Sequence, residues 1–548
     1  MTILKAPEEI FREFEAGKNY KAGIGLFENY ERNEAFYIGD QWAGVDAPNM
    51  PKPVLNYVRR VVSMSVAKIT TEGWGVSVEP NEPDPEREGV AKMLVGQIEK
   101  AIEYLGLKPM TRTAERNRCV DGDGCIYFDF DPDAESGADT PGAITAELVE
   151  NINVYFGNRY DRRVQNQPYI ILQMRRYIGD VKDEARENGV DEDDIDGIRP
   201  DEDEHQGEHS PDSQVTVLLK LWKEGGTVKA VKVVNGLTIR KEWDTGLKLY
   251  PLAWYSWELV KGSYHGRAML TGLLPNQIAI NKTWAAILYQ IQKTGFASTI
   301  IDRDSIPKWD GTPGKLIEVR GSIAAARDKV GYLEPAPIPS TVISAMDSLA
   351  SATRDTMGAS DATMGNVNPD NASAIIALQQ QDEQPLELSK QGYHDFVEDC
   401  VRIIADQMRA GYGKRTVQIE TKGKGGTKNT TRKPFDFGSL GDLQMAMKVT
   451  IGASSLWSEQ MTVQLVNNLF ASSVMQDPAM LALYCKVMPD KYLPGKTVIE
   501  DYAKNLLQQS VQQEPMGTPT EETRINPTIP EEQEFVPRVR AENTTAQP

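Results

Sequence analysis

Cysteine and histidine are scarce, with four of each in 548 residues. Cys119, Cys125, Cys400 and Cys485 are too few for a disulfide framework, and Cys119 and Cys125 are too far apart to form a CxxC pair. His205 and His209 have the i, i+4 spacing of a helical metal pair, but they lie in a stretch of Gly, Pro and Ser that disfavours helix. These shortages leave no metal framework and point to a reducing compartment. No apolar run approaches the roughly 18 residues of a membrane span. The acid-bearing N-terminus has no apolar centre like that of a signal peptide. The expectation is a chain with no membrane partner.

Catalytic signatures are missing as well. There is no GxxxxGK[ST], GxSxG or HExxH. Gly423-Lys424-Gly425-Gly426-Thr427-Lys428 is rich in glycine and lysine but lacks the phosphate-loop spacing. Asp121-Gly122-Asp123-Gly124 resembles the start of a calcium loop, yet it lacks the third spaced oxygen and the distal Glu. It reads as a turn before a strand. No two carboxylates stand out as a catalytic pair. The reading is therefore a non-enzyme with no cofactor and no metal.

Positive charge is in deficit. Lys and Arg number 60 against 79 Asp and Glu, a net charge of −19. A protein that grips and reads nucleic acid usually shows a basic face. A wall past which DNA must slide should instead carry few cations, because each Lys or Arg contact adds sequence-independent affinity. Solubility accounts for the same acidic excess.

What the sequence does contain is an ordinary globular mix, 40% hydrophobic and 25% charged, long enough for about two to four domains or one elongated subunit. Helix is expected over about 7–38, interrupted by Gly17, Gly23 and Gly25. The aromatic cluster Phe36 to Trp42 then ends in a turn. Val54, Leu55, Val58, Val61, Val62, Val66 and Ile69 recur at helical spacing, which predicts a helix over 54–71. A charged helix follows at about 84–105. From about 120 to 260 the pattern changes to strands, at 125–130, 143–149, 168–176, 214–223, 227–234, 237–243 and 250–257. Between them, the acidic segment 182–213 reads as a solvated surface excursion, or alternatively as a dock for a basic partner.

The second half is organised around helices. Ile280, Trp284, Ile287, Leu288 and Ile291 form a stripe over 270–294, with Gln277, Asn281, Gln290 and Gln292 among them. Such a helix spans roughly 35–40 Å. Its polar but weakly charged second face suits packing against neighbouring copies. A short β-rich segment follows at 296–337, then a helix at about 339–357 with the stripe Val342, Ile343, Met346, Leu349 and Ala350. A loop rich in Gly, Asn and Asp occupies 358–372. Helix resumes from Ser373 to about Arg409, with Pro385 kinking it or opening a new turn. Strands are expected at 415–421 and 445–452 around a basic loop, 422–433, then helices from Ser458 to Gln509. The Pro-, Glu-, Thr- and Gln-rich segment 510–548 is expected to be disordered. The fold class is α+β, predominantly helical.

This order of parts resembles the portal proteins of tailed bacteriophages. Four stretches are similar to that family's habits: Asn33 to Trp42, Pro51 to Asn56, Gln277 to Asn281, and Met364-Gly365 through Asn371 to Ile375. The resemblance covers roughly residues 10–505. It implies a wing at 1–264, a first stem helix at 265–295, a clip at 296–337 and a second stem helix at 338–357. A tunnel loop at 358–372, a wing helix and β return at 373–457, and crown helices at 458–509 complete it. The insert 182–213 and the tail 510–548 have no assignment in it.

The same resemblance implies a homo-oligomeric ring, typically dodecameric, at one capsid vertex, assembled in the host cytoplasm and kept in the virion. Double-stranded DNA passes through such a ring without sequence recognition. The large terminase docks on the clip and is later replaced by head-completion and adaptor proteins. The major capsid protein and scaffold are further partners. Carried over by position, stem packing falls to Gln277, Ile280, Trp284, Ile287 and Ile291. The tunnel loop carries Asp361, Met364, Asn366, Asn368, Asp370 and Asn371, and the clip carries Lys308, Lys315, Arg320, Arg327 and Lys329. Asp361 and Asp370, with no Lys or Arg in the loop, would repel a duplex when repeated around a ring. Turn formation explains the same two residues. The rival readings are a non-portal minor head or assembly protein, and an enzyme with scattered carboxylates.

Overall fold

Two helices open the chain, α1 (Pro7–Gly23) and α2 (Leu26–Ile38). In the computed structural model, residues 5–71, 73–80, 85–134, 140–201, 213–294, 298–302, 304, 322, 324, 330–333, 340–355, 386–422, 428–441 and 445–451 are described. The break between α1 and α2 falls at Gly25, whose φ of +68° suits glycine. Gly17 does not interrupt α1. It lies against Tyr155, so close that a Cβ would sit 2.6 Å from the ring. Helix α3 (Tyr57–Thr70) starts later than the apolar spacing suggests, because the Asn56 side chain accepts a hydrogen bond from Arg59 N and caps it there. Val58, Val61, Val62 and Ile69 form its buried face.

Strand β1 (Trp74–Pro80) and helix α4 (Pro85–Tyr104) follow, then α5 (Leu107–Asp121). Helix α5 has no counterpart among the elements expected from sequence. Its buried face carries Thr111, Glu115 and Arg118 beside Leu107, Ala114 and Val120, so no apolar stripe shows.

Strands β2 (Asp123–Asp131), β3 (Ala143–Leu148), β4 (Val154–Phe156) and β5 (Tyr169–Tyr177) lead to helices α6 (Ile178–Glu187) and α7 (Glu192–Asp196). Strands β6 (Gln214–Glu224), β7 (Thr227–Val234), β8 (Leu237–Asp244) and β9 (Leu252–Ser256) complete this region. They form two antiparallel sheets, in the orders β3-β2-β9 and β4-β5-β6-β7-β8. The β7–β8 hairpin turns on Asn235-Gly236, both at positive φ, the geometry that matches strand twist.

The acidic segment is not a simple excursion. Ile178, Val181, Ala185, Ile195 and Ile198 pack on Val215, Val217, Val234 and Ile239 of the five-stranded sheet. A few apolar side chains at helical spacing anchor α6 and α7 while their carboxylates face water. Residues 202–212, with His205 and His209, lie outside the described residues.

Helix α8 (Met269–Thr294) then leads to β10 (Ser298–Ile301), which pairs antiparallel with β11 (Val330–Leu333). Helix α9 (Ser340–Asp355) packs back on α8, and α10 (Glu387–Gly411) crosses the core. Strand β12 (Lys414–Lys422) pairs with β13 (Lys428–Asp436), and β14 (Met445–Ile451) pairs with the distant β1. From Lys428 on, the basic segment 422–433 is one arm of this hairpin, and 423–427 lie outside the described residues. Residues 428–433 are polar on both faces, so alternation carried no strand signal. The strand expected at 314–319, the helix at 373–385 and the loop 358–372 lie outside the described residues. So does the unit Leu456–Pro548, with the expected crown helices and tail. The class is α+β, with more helix than strand.

The largest core cluster joins α4, α5, β2, β9 and α10 through Leu94, Ile98, Ala114, Phe128, Phe396 and Ile404. An ion pair sits inside it. Arg118 Nη2 lies 3.1 Å from Glu115 Oε1, and both side chains are buried. The Tyr255 hydroxyl donates to Glu115 Oε2 at 2.7 Å. The Arg118 guanidinium lies 4.7 Å from the Tyr255 ring and 4.8 Å from the Trp257 ring. Phe396 of α10 stacks on Tyr255 at 3.9 Å. Burial pushes the Glu115 carboxyl above its usual range, against the pull of Arg118. Removing one partner leaves the other charged and unpaired in a dry site. Arg118→Met is expected to lower stability by about 3–5 kcal/mol. The double variant Arg118→Met/Glu115→Gln should recover much of that loss in thermal unfolding.

Candidate functional site at the root of the long helix pair

Helix α8 is held at its root by one side-chain amide. Gln277 Oε1 accepts from Tyr57 N at 3.0 Å and Val58 N at 3.3 Å. Its Nε2 donates to Leu55 O at 2.7 Å and to Asn281 Oδ1 at 2.9 Å. Gln277 is wholly buried, and both ends of its amide are satisfied. The chain of bonds continues from Asn281 Nδ2 to Gln41 Oε1 at 2.6 Å, and from Gln41 Nε2 to Phe36 O at 2.9 Å. Asn56 Nδ2 donates to Tyr37 O at 3.0 Å, and Trp42 Nε1 donates to Pro53 O at 2.9 Å. Three stretches far apart in sequence, 36–42, 53–58 and 277–281, thus meet in one network.

A second anchor fixes the approach to α8. Asp123 is buried at the start of β2 and accepts from Ser256 Oγ at 2.6 Å and Gly266 N at 2.9 Å. Its Oδ2 lies 2.9 Å from His265 Nδ1, and Asn151 Nδ2 donates to it at 3.3 Å. Burial holds the His265 imidazole below its usual pKa, against the pull of Asp123. The neutral ring therefore donates from Nδ1 to the carboxylate. Gly122, at φ +101°, turns the chain from α5 into β2 within 2.6 Å of Gly266 O, counted from where a Cβ would stand. Asn33 Nδ2 ties α2 to both sides, donating to Val120 O at 2.7 Å and Thr271 Oγ1 at 2.9 Å.

Helices α8 and α9 run antiparallel. Asn276, near the start of α8, donates to Thr353 Oγ1, near the end of α9, at 3.1 Å. Met346, Ala350 and Thr353 are the buried positions of α9. The stem residues expected from sequence divide along the helix. Gln277, Ile280 and Ile287 are buried within the chain, Trp284 is half-buried, and Ile291 is exposed. Tyr289 on α8, and Val342 and Ile343 on α9, are exposed as well. All four exposed apolar residues lie at the β10–β11 end of the pair. The expected tunnel-loop residues Asp361, Met364, Asn366, Asn368, Asp370 and Asn371 fall outside the described residues. So do the expected clip residues Lys308, Lys315, Arg320, Arg327 and Lys329.

A family model described as phage P22-like portal protein matches residues 130–543. The chain belongs to this family. No curated protein matches it. A portal protein is a structural component of the phage virion, which sets aside the minor-head and enzyme readings. The family match begins after β2 has started and runs through the acidic segment 182–213 and most of 510–548. Residues 1–129 lie outside the match, and they supply Gln41, Asn56 and Asn33 to the root of α8. Among the described residues no helix is long and apolar enough to cross a membrane, and no group of three His, Cys, Asp or Glu could hold a metal.

Sequence reasoning found Gln277 but assigned it to contacts between copies, whereas its bonds all lie within the portal chain. Asn33, Gln41 and Asn56 sit in stretches noticed for their family likeness, without a role attached. Asp123 and His265 carried no usable signal, since the partners of Asp123 are 28 to 143 positions away.

The root network makes two predictions. Gln277→Leu leaves Val58 N and Asn281 Oδ1 buried without their partner, while Tyr57 N keeps its bond to Leu55 O at 2.8 Å. The cost is about 1–3 kcal/mol for each unsatisfied group. The expected result is a lowered melting temperature, with α8 amides losing protection in hydrogen exchange. Asp121, at the end of α5, has a buried Oδ1 with no hydrogen-bond partner. Burial lifts its carboxyl to about 8 from 3.8, with Glu34, Glu150 and Asp123 adding to the rise and Arg116 opposing it. The folded state therefore keeps a proton that the unfolded state releases. That contribution is complete below about pH 4 and is lost as pH rises through about 8. Asp121→Asn should raise the melting temperature relative to wild type more at pH 9 than at pH 5.

Proposed function

We propose that this portal protein closes into a homo-oligomeric ring, dodecameric as the family resemblance implies, at one vertex of the capsid. Duplex DNA passes through the ring during packaging and ejection. The α8–α9 pair is its stem. The β10–β11 ribbon lies in the clip, with Lys308, Lys315, Arg320, Arg327 and Lys329 offered to the large terminase and then to head-completion proteins. Loop 358–372 is the tunnel loop, 458–509 the crown, and the two sheets with α1 to α7 and α10 the wing, which faces the major capsid protein.

The observation that carries this reading is the asymmetry of the helix pair. Its root is filled and fully hydrogen-bonded within the chain, while Tyr289, Ile291, Val342 and Ile343 remain exposed at its far end. Apolar area removed from water contributes about 25 cal/mol per Å². A repeating neighbour on a closed ring covers such a face once per copy. Trp284, half-buried with an indole N–H that meets no acceptor among the described residues, lies on the same helix.

Native mass measurement and negative-stain imaging of the purified protein test the assembly. A ring with a central hole supports it. A stable monomer, even with scaffold and capsid partners present, overturns it. Within rings, shortening loop 358–372 is expected to reduce packaged or retained DNA while the ring mass stays unchanged. Normal packaging by the shortened chain would remove the loop from the channel.

A further inference from the structure

Helices α3 and α5 are net basic in an acidic chain. Arg59, Arg60 and Lys68 lie on α3, which carries no acid, and Lys108, Arg112, Arg116 and Arg118 lie on α5 against Glu115 and Asp121. Glu115 and Arg118 are paired with each other inside the core. Between the two helices lies a cleft of about 510 Å³ lined by Tyr37, Ser63, Ala67, Thr70, Arg112 and Arg116.

Each cation at this cleft is in a defined state. Arg112 and Arg116 are one turn apart on the same face of α5, so both guanidiniums address the opening. Arg116 is paired with Glu34 and lies 4.5 Å from the Tyr37 ring. Arg59 lies 5.9 Å from the same ring, so two guanidiniums flank one tyrosine. Arg59, Arg60 and Arg112 are exposed, and none pairs with a carboxylate among the described residues. The α3 wall presents small or hydroxyl side chains, Ser63, Ala67 and Thr70, which let a bulky anion come close. Among the described residues, Glu34 is the one acid paired at the rim.

We infer that the α3–α5 cleft is a phosphate-binding face that receives the phosphodiester backbone of double-stranded DNA. The inference rests on the portal reading, which brings duplex DNA to the ring. Guanidinium groups present planar, forked donors that match phosphate oxygens. Contacts to phosphate oxygens hold the backbone without reading bases.

The test uses full-length rings and a fluorescein-labelled duplex, followed by anisotropy across a salt series. Wild-type rings should bind at low salt without sequence preference. Arg59→Ala/Arg60→Ala/Arg112→Ala should weaken binding roughly tenfold or more and flatten the salt slope by about two to three, one for each phosphate no longer neutralised. Removing three exposed cations elsewhere, with Arg162→Ala/Lys241→Ala/Lys261→Ala, should change affinity by less than about twofold. Arg112→Lys keeps the charge and should retain most of the binding. Unchanged affinity and slope in ring-forming triple variants would overturn the inference while leaving the portal reading intact. So would loss of rings with DNA binding preserved, which would make the face a contact between copies. Inorganic phosphate is the second probe. Thermal stabilisation by phosphate at matched ionic strength, without duplex binding, would mean a small-anion site and would also overturn it. Absence of rings under every condition, by contrast, would count against the portal reading itself.

Discussion

The Gln277 amide is the constraint on which the long helices depend. A buried amide has two acceptor sites and two donors, and an unpaired one costs about as much as a broken hydrogen bond. Here all are used, and all within one chain: the first turn of α3, the segment before it, and Asn281 one turn further along α8. The direction in which α8 leaves the body is therefore set by polar geometry. Apolar packing alone would tolerate sliding. Asp123 does the same for the preceding loop, where it gathers Ser256, His265 and Gly266 on one carboxylate.

The two buried polar centres divide the work. The Arg118–Glu115 pair locks α5, β9 and α10 together in the core, with aromatic rings on the guanidinium faces. The Gln277 network locks α2, α3 and α8. Helix α5 borders both, since Val120 packs with Leu270 and Leu273 in the cluster that also holds Val58 and Val62. A portal chain built this way ties the start of α8 firmly to α2 and α3. The apolar residues left exposed on the α8–α9 pair are confined to its outer end.

Much of this was legible in the sequence where one physical signal dominated. The stripes of α3, α8 and α9 declared themselves through spacing, and strands β5 to β8 of the five-stranded sheet through β-branched and aromatic runs, while the short β4 went unseen. The signal failed where burial was polar. Helix α5 buries Thr111, Glu115 and Arg118, so its inner face looks like a surface. Helices α6 and α7 look like a solvated acidic run because only a few side chains, Val181, Ala185 and Ile195 among them, anchor them. Strand β13 is polar over Lys428 to Lys433, before Phe435 meets the core. At the candidate site, Gln277 was visible but its partners on α3 and before it were not, because Tyr57 and Leu55 lie more than two hundred residues away.

The pairing of β1 with β14 has a consequence for how the chain is made. Trp74 sits opposite Ile451 and Pro80 opposite Met445, so the two strands of one small sheet come from opposite ends of the same folded unit. During synthesis β1 emerges early and waits, with an open edge of unpaired backbone groups, until nearly the whole unit has followed. Closure of such a pairing is slow because the chain entropy of a very long loop must be overcome first. Until then the nascent subunit carries an exposed strand that can pair with another chain. A truncated product lacking β14 leaves the edge of β1 that faces it unpaired.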